Sequence, residues 1–395
     1  MKVNLMRKLD FWVGVPLCFV CSFFNFFGHF LNFRKKKVLP ARIAFLKLSE
    51  LGAIILAYPL IKRVKGQYPA AELFFVTFKK NKNVFRVLDG LIREENIILI
   101  SDENIFFFAL DTFRAMLELR KNKVDVVFDL EFFSRFSAIL SYLSSGAIRV
   151  GFWRYTFEGL YRGNLLTHKV QYNPQNHISV SYLLFEQVIK QERKDSPELS
   201  ENISKEDVIL PKYISSPQAK KYLIEKFGLN NQKRIFLFNP GEGVLPLREW
   251  PLDNFITVGR KILEDSNNCV VLIGTEGAGK KADVFLKGLN DPGCINLVGK
   301  TSLEELMGLF CMSFALISND CGLVHLAMLT SIKKFVLFGP ETPQVFGPLG
   351  DNNHVFYSHW PCSPCLSAFN HRESFCRDNV CLKVISPEEV LQAII

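Results

Sequence analysis

Ile317-Ser-Asn-Asp-Cys-Gly-Leu-Val-His-Leu-Ala-Met328, followed by Phe335-Val-Leu-Phe-Gly-Pro-Glu-Thr-Pro343, carries the reading of the chain. Phe314 to Ile317 is a short apolar run that fits a buried strand, Asn319 to Gly322 is a turn, and Cys321 to Thr330 predicts a helix with His325 in its first turn. Lys334 to Phe338 is a second buried strand that opens into a Gly-Pro loop. A strand, a glycine turn and a helix start make an anion site, because backbone N–H groups and the helix dipole point at whatever binds there. Asp320 and His325 flank that site, with Gly322 between them. Such a site in the second half of a two-domain α/β chain suits the diphosphate of a nucleotide sugar.

The same alternation of strand and helix runs outward in both directions. Ahead of the quoted stretch, Arg234–Asn239, Cys269–Ile273 and Ile295–Leu297 read as strands, and Leu252–Glu264, Ala282–Leu289 and Ser302–Cys311 read as helices. In the first half, Ala41–Leu48, Glu72–Phe78, Ile97–Ile100 and Val124–Leu130 read as strands. Ala53–Lys65, Ile105–Lys121 and Ser134–Ser144 read as helices. Alternation of this kind predicts two doubly wound α/β domains with parallel sheets. A chain of 395 residues is also too long for one typical core. The charged, Ser- and Pro-rich stretch from Gln191 to Gln218 reads as the linker, which places a first domain at 41–215 and a second at 216–395.

Three loops at strand ends carry candidate chemistry. Asn239-Pro-Gly-Glu-Gly-Val-Leu-Pro-Leu-Arg-Glu-Trp-Pro251 offers Gly241 and Gly243 for close backbone approach and Arg248 for a bidentate phosphate contact. Gly274-Thr-Glu-Gly-Ala-Gly-Lys-Lys281 nearly spells a phosphate-binding P-loop, but that motif needs Ser or Thr after Gly-Lys to hold Mg²⁺, and Lys281 stands there. Lys47-Leu-Ser-Glu-Leu-Gly-Ala53 follows the first strand and brings Glu50 to its carboxyl end, either as a base or as a helix N-terminal carboxylate.

These residues, from Ala41 to the C-terminus, resemble glycosyltransferase family 9, the lipopolysaccharide heptosyltransferases and their relatives. The family motif Asn-Asp-(Ser/Thr)-Gly-x-x-His-x-Ala stands here as Asn319, Asp320, Cys321, Gly322, His325 and Ala327. The Phe-Gly-Pro-Thr-x-Pro loop stands as Phe338 to Pro343. The sequence departs from the family at Cys321, usually a hydroxyl, at Glu341, usually Thr, and at Ala53, where the family commonly has a catalytic Asp. The resemblance implies a GT-B arrangement, two Rossmann-like domains facing a cleft. It also implies an inverting transfer of a sugar, heptose from ADP-heptose, to a lipopolysaccharide-type acceptor, with no metal required for catalysis. Asp320 then serves both catalysis and the donor site, Glu276 binds the ribose or base of the donor, and Glu50 replaces the absent Asp as base. Two rivals are a nucleotide-sugar epimerase of the same fold and a non-catalytic relative that binds glycolipid.

Charge and apolarity are unevenly placed. Residues 1–215 hold 31 Lys and Arg against 21 Asp and Glu, and the remainder holds 17 against 18. With no nucleic-acid motif in the chain, the basic half points to an anionic membrane or acceptor. Phe11 to Phe33 is strongly apolar and is followed by Arg34-Lys-Lys-Lys37. It is long enough to span a bilayer, yet Asn25, His29 and Asn32 interrupt it, and no small-residue cleavage site follows. The expectation for residues 1–40 is a membrane-associating segment, interfacial or spanning, that leaves the domains at the cytoplasmic face of the inner membrane. Four of the ten cysteines, Cys362, Cys365, Cys376 and Cys381, form a compact set. They fit a structural Zn²⁺ site, two disulfides or reduced thiols packing a loop.

Overall fold

The central strands are short runs of Val, Ile, Leu and Phe, buried on both faces as parallel strands are. The computed structural model describes residues 3–31, 40–48, 50–153, 160–191, 202–241 and 246–394. It divides into two units, Met1–Ile209 with Ala368–His371 and Leu210–Ser367 with Arg372–Ile395.

The first unit holds β1 (Arg42–Leu46), β2 (Glu72–Phe78), β3 (Ile97–Ile100), β4 (Val126–Asp129), β5 (Ile148–Trp153) and β6 (His168–Gln171). They form one parallel sheet in the order β3-β2-β1-β4-β5-β6. Its helices are α1 (Val3–Trp12), α2 (Gly14–Leu31), α3 (Leu51–Gln67), α4 (Ile105–Lys121), α5 (Arg135–Leu143) and α6 (Ile178–Val188). Alternate residues of β1 serve the two faces. Phe45 stacks between Phe75 at 6.2 Å and Phe128 at 5.3 Å, while Ala44 and Leu46 join Phe74, Val76 and the buried side of α4. Each buried ring of this kind contributes about 2–3 kcal/mol.

The second unit holds β7 (Arg234–Asn239), β8 (Asn268–Leu272), β9 (Cys294–Asn296), β10 (Ala315–Asn319), β11 (Lys333–Phe338) and β12 (Asn353–Tyr357). Again the sheet is parallel, in the order β12-β11-β10-β7-β8-β9. Its helices are α7 (Pro217–Phe227), α8 (Leu252–Leu263), α9 (Gly279–Leu289), α10 (Leu303–Met312), α11 (Gly322–Ala327), α12 (Pro343–Phe346), α13 (Val380–Lys383) and α14 (Pro387–Ile394). Local signals fix several ends. Ser302 and Glu305 form a reciprocal capping box on α10, and Gly228 closes α7 in the left-handed conformation that glycine tolerates.

Both sheets therefore reverse direction once, between β1 and β4 in the first and between β7 and β10 in the second. Ligands of doubly wound sheets bind at this switch, outside the carboxyl ends of the strands. The loops after β1, β4, β7 and β10 are thus the ones that matter.

Three strands escape the sequence reading. Ile148-Arg-Val-Gly-Phe-Trp153 carries an Arg inside it, and Arg149 is buried because its guanidinium reaches the carbonyls of Leu165 (2.6 Å) and Gly146 (2.7 Å). β6, His-Lys-Val-Gln, is mostly polar and forms by completing the ladder on β5, and β12 does the same on β11. The helix expected over Cys321–Thr330 is only Gly322–Ala327. Thr330 ends that segment, its hydroxyl donating to the Ala327 carbonyl at 2.9 Å.

Candidate active site

The second unit gathers its charges at the β7/β10 switch. Arg248 follows β7 on a short 3₁₀ turn, Pro246–Arg248. One Nη of Arg248 lies 3.5 Å from the Asp320 carboxylate after β10, and the other donates to Glu341 after β11 at 2.8 Å. Arg372 reaches the same Glu341 oxygen at 3.1 Å, its guanidinium over the Phe346 ring at 4.6 Å. Glu341 is fully buried, so its charge depends on the two guanidinium groups. The expected site residues Arg248 and Asp320 meet, and Glu341 and Arg372 join them as residues outside the expected set. The signal for Glu341 was already in the sequence as the odd Glu in Phe-Gly-Pro-Glu-Thr-Pro. Arg372 carries no motif.

The walls of this site are cross-braced. The Asp320 N–H donates to Leu337 O at 3.1 Å. Asn319 accepts from the Trp250 N–H at 2.9 Å, and the buried Trp250 indole donates to Ile385 O at 2.9 Å, which ties the Arg248 loop to the β10 turn. Asn379 donates to the carbonyls of Leu247 and Glu249 at 3.1 and 2.7 Å. Gly241 has φ 118°, and a Cβ there would meet the Glu249 carboxylate at 2.9 Å, so this position requires glycine. Gly243 lies outside the described residues.

Cys321, where the family usually has a hydroxyl, is held by two polar neighbours. Asn239 donates to its sulfur at 3.2 Å and Ser318 lies 3.3 Å from it. Burial raises its pKa, so the group at this turn is a neutral thiol. His325 is buried on α11, and Gly322 opens that helix. With six residues, α11 has little dipole to offer, which leaves the cationic part of the site to arginine. Glu276 lies one strand further along, exposed on the 3₁₀ turn after β8, with Gly299 packed against its backbone.

In the first unit Glu50 precedes α3 with φ 36°, a strained value for a residue with a side chain. It is the N-cap residue of α3, with no side-chain hydrogen bond to the helix. Beside it at the β1/β4 switch is a buried ion pair. Glu131 accepts from Lys47 Nζ at 3.0 Å and from the Leu48 N–H at 2.7 Å. Next to that, Asp129 pairs with Arg162, both fully buried. Sequence reading passed over these four because each lies in or beside an apolar run.

The four C-terminal cysteines converge. Cys362, Cys365, Cys376 and Cys381 line one cavity of about 90 Å³, which Leu247 and Pro340 also line. Burial, then the neighbouring thiols, push Cys381 up to about 11. All ten cysteines are free thiols, not disulfides. Among the described residues, no three His, Cys, Asp or Glu side chains are yet arranged as a metal-ligand set.

The charged constellation stands at the switch point of a doubly wound parallel sheet, where the ligands of such α/β units bind. Residues 112–375 match the model of glycosyltransferase family 9 (heptosyltransferase), and the chain belongs to that family. Lipopolysaccharide heptosyltransferase 2 of Escherichia coli strain K12 is 26% identical over 151 residues, 38% of this chain and 43% of the relative. Lipooligosaccharide heptosyltransferase 2 of Haemophilus influenzae is 27% identical over 183 residues, 41% and 53% of the two chains. The chain thus spans about half the length of these relatives. Lipopolysaccharide heptosyltransferase 1 of Campylobacter coli is 25% identical over 304 residues, 75% and 84% of the two. Among solved structures, E. coli ADP-heptose lps heptosyltransferase II matches with a TM-score of 0.68 at 20% identity, over 89% of this chain and 98% of that one. The family 9 protein of Veillonella parvula DSM 2008 matches at 0.70 with 18% identity, over 91% and 98%. At these identities the structures establish the shared fold.

Proposed function

We propose that this chain is an inverting glycosyltransferase that moves heptose from ADP-heptose to a lipopolysaccharide or related glycolipid acceptor, working at the cytoplasmic membrane surface. The observation that carries the reading is the Arg248–Asp320–Glu341–Arg372 constellation at the β7/β10 switch of a family 9 chain. The donor's diphosphate would take Arg248 from Asp320, the looser of its two partners at 3.5 Å. Asp320 would then accept from sugar hydroxyls, with Gly241, Gly243, Gly322 and His325 around the diphosphate and Glu276 toward the nucleoside. The acceptor hydroxyl attacks the anomeric carbon, the bond from that carbon to the diphosphate oxygen breaks, and the hydroxyl proton passes to Glu50. Arginine neutralises the charge that develops on the leaving diphosphate.

Thermal shift across nucleotide sugars tests donor choice, because a ligand that binds only the folded state stabilises it by about 2.7 kcal/mol at 100 times its Kd. ADP-heptose is expected to raise the melting temperature while UDP-sugars do not, and incubation with lipopolysaccharide acceptor is expected to release ADP. A shift with no ADP release would favour the non-catalytic binder, a reading that Ala53 supports. No shift with any ADP-sugar overturns the donor assignment.

The four cysteines line one cavity and are by type the donors a tetrahedral Zn²⁺ takes, so a bound Zn²⁺ would draw them together and hold the loop behind Pro340 and Glu341 in place. Protein purified without chelators is then expected to carry about one zinc per chain, and Cys365→Ser to lower both metal content and melting temperature. Elemental analysis finding almost no metal per chain, with the thiols intact, removes the zinc.

A further inference from the structure

The N-terminal helices are fastened to the first unit by polar side chains. Asp10 on α1 accepts from the N–H groups of Arg135 (3.0 Å) and Phe136 (2.9 Å) at the start of α5, and pairs with the Arg135 guanidinium at 3.1 Å. On α2, Ser22 accepts from the Asn164 N–H at 2.7 Å, and Asn25 donates to the Asn164 carbonyl at 2.8 Å. Cys18 is fully buried, and Gly163, at φ 71°, comes so close that a Cβ there would meet the Cys18 carbonyl at 2.8 Å. Gly14 touches Arg135 in the same way. The docked positions 14, 18, 22 and 25 run along one side of α2 for about 16 Å at 1.5 Å per residue. A helix flush with a folded unit over that length is not free to cross a bilayer, although Leu5–Phe27 is long and apolar enough to do so.

The opposite side of these helices is aromatic and exposed. Trp12, Phe19, Phe23, Phe24, Phe26 and Phe27 are each at least half exposed. A second element continues the pattern. Helix α4 contacts α5, as α1 and α2 do. Its inward residues are Phe108, Asp111, Ala115 and Leu119, while exposed Phe106, Phe113 and Leu117, with half-buried Leu110 between them, form an outward stripe at helical spacing that ought to be polar in water. Phe106 is 71% exposed. Cations surround these residues. Lys8 on α1 and Arg114, Arg120 and Lys121 on α4 are exposed. Residues 1–49 contain nine Lys and Arg and one acid, Asp10, which is already engaged with α5.

We infer that α1, α2 and the outer stripe of α4 form one in-plane seat on an anionic phospholipid bilayer, so that the first unit rests on the membrane and no helix spans it. Apolar rings enter the acyl boundary and the cations meet phosphate headgroups, the pattern of a monotopic protein. The inference deepens the membrane-surface part of the proposed function and gives α4 a role there.

Flotation of the full chain with vesicles tests it. Wild type is expected to float with phosphatidylethanolamine–phosphatidylglycerol vesicles and much less with phosphatidylcholine alone. Phe106→Asp with Phe113→Asp is expected to lower the vesicle-bound fraction about tenfold, with melting temperature and ADP-heptose binding unchanged. A tag ahead of Met1 should stay open to protease added outside sealed vesicles. If wild type floats and the double variant floats equally, or the tag is shielded, the in-plane seat is wrong while membrane association stands. If wild type never floats, both fall and the transferase reading remains. A lipid-free wild-type dimer that the double variant dissociates would assign the face to a second copy and overturn the seat.

Discussion

Replacing Asp320 by alanine is expected to lower kcat/KM for transfer by about 10²–10³, with the melting temperature nearly unchanged. The size follows from what the carboxylate does at the end of β10. Its backbone N–H is fixed to Leu337 and its side chain lies 3.5 Å from Arg248, so before donor binding it holds in place the guanidinium that, on the proposed function, would receive the diphosphate. On the same proposal it would also accept from donor hydroxyls as the sugar loosens from its leaving group. The fold tolerates the change because Arg248 keeps its 2.8 Å bond to Glu341, and no buried charge is left alone. Glu341→Ala would differ in kind, since it leaves two guanidinium groups facing each other over a cavity and should cost stability first. Steady-state rates with saturating donor, beside a thermal melt of each variant, separate the two cases. Near-normal kcat/KM for Asp320→Ala would mean the donor binds elsewhere.

Much of the second unit was legible in the sequence because its strands are uninterrupted apolar runs and its loops carry glycine, proline and one motif in fixed order. Asn319, Asp320, Gly322 and His325 are consecutive features of a single turn, and spacing alone locates them. The remaining half of the site depends on folding. Glu341 and Arg372 are 31 residues apart, and only the return of the chain past β12 brings a guanidinium to a buried carboxylate. Arg149 shows the same limit in the first unit. Its charge argues against a buried strand until the Leu165 and Gly146 carbonyls that satisfy it are in place. The pair Lys47 and Glu131 is 84 residues apart in sequence, and nothing local marks either one. The aromatic N-terminus was readable as apolar, but which side of it is occupied by Asn164 and α5 was not.

Glu50→Gln is expected to lower kcat by about 10²–10⁴ while ADP-heptose affinity, read by thermal shift, stays constant. Family 9 members commonly supply a base at the position of Ala53, and the nearest carboxylate in the same loop is Glu50. It stands at the carboxyl end of β1, beside the switch, at a positive φ of 36° that costs about 1 kcal/mol or more for a residue with a side chain. Strain of that kind persists where a side chain must be aimed, and glutamine preserves its shape while removing the basic oxygen. The proposed function places donor binding in the second unit, so affinity and turnover should separate. Glu131 is the competing carboxylate, but both its oxygens are already held by Lys47 and the Leu48 N–H, and its loss would orphan a buried lysine. Glu131→Gln should therefore lower the melting temperature before it lowers kcat. Ala53→Asp in the Glu50→Gln background should restore part of the rate, since it returns a carboxylate to the loop. If Glu50→Gln turns over normally while Glu131→Gln stays folded and is slow, the base is Glu131. If neither change slows the enzyme, the proton leaves by a route that does not use the β1 loop.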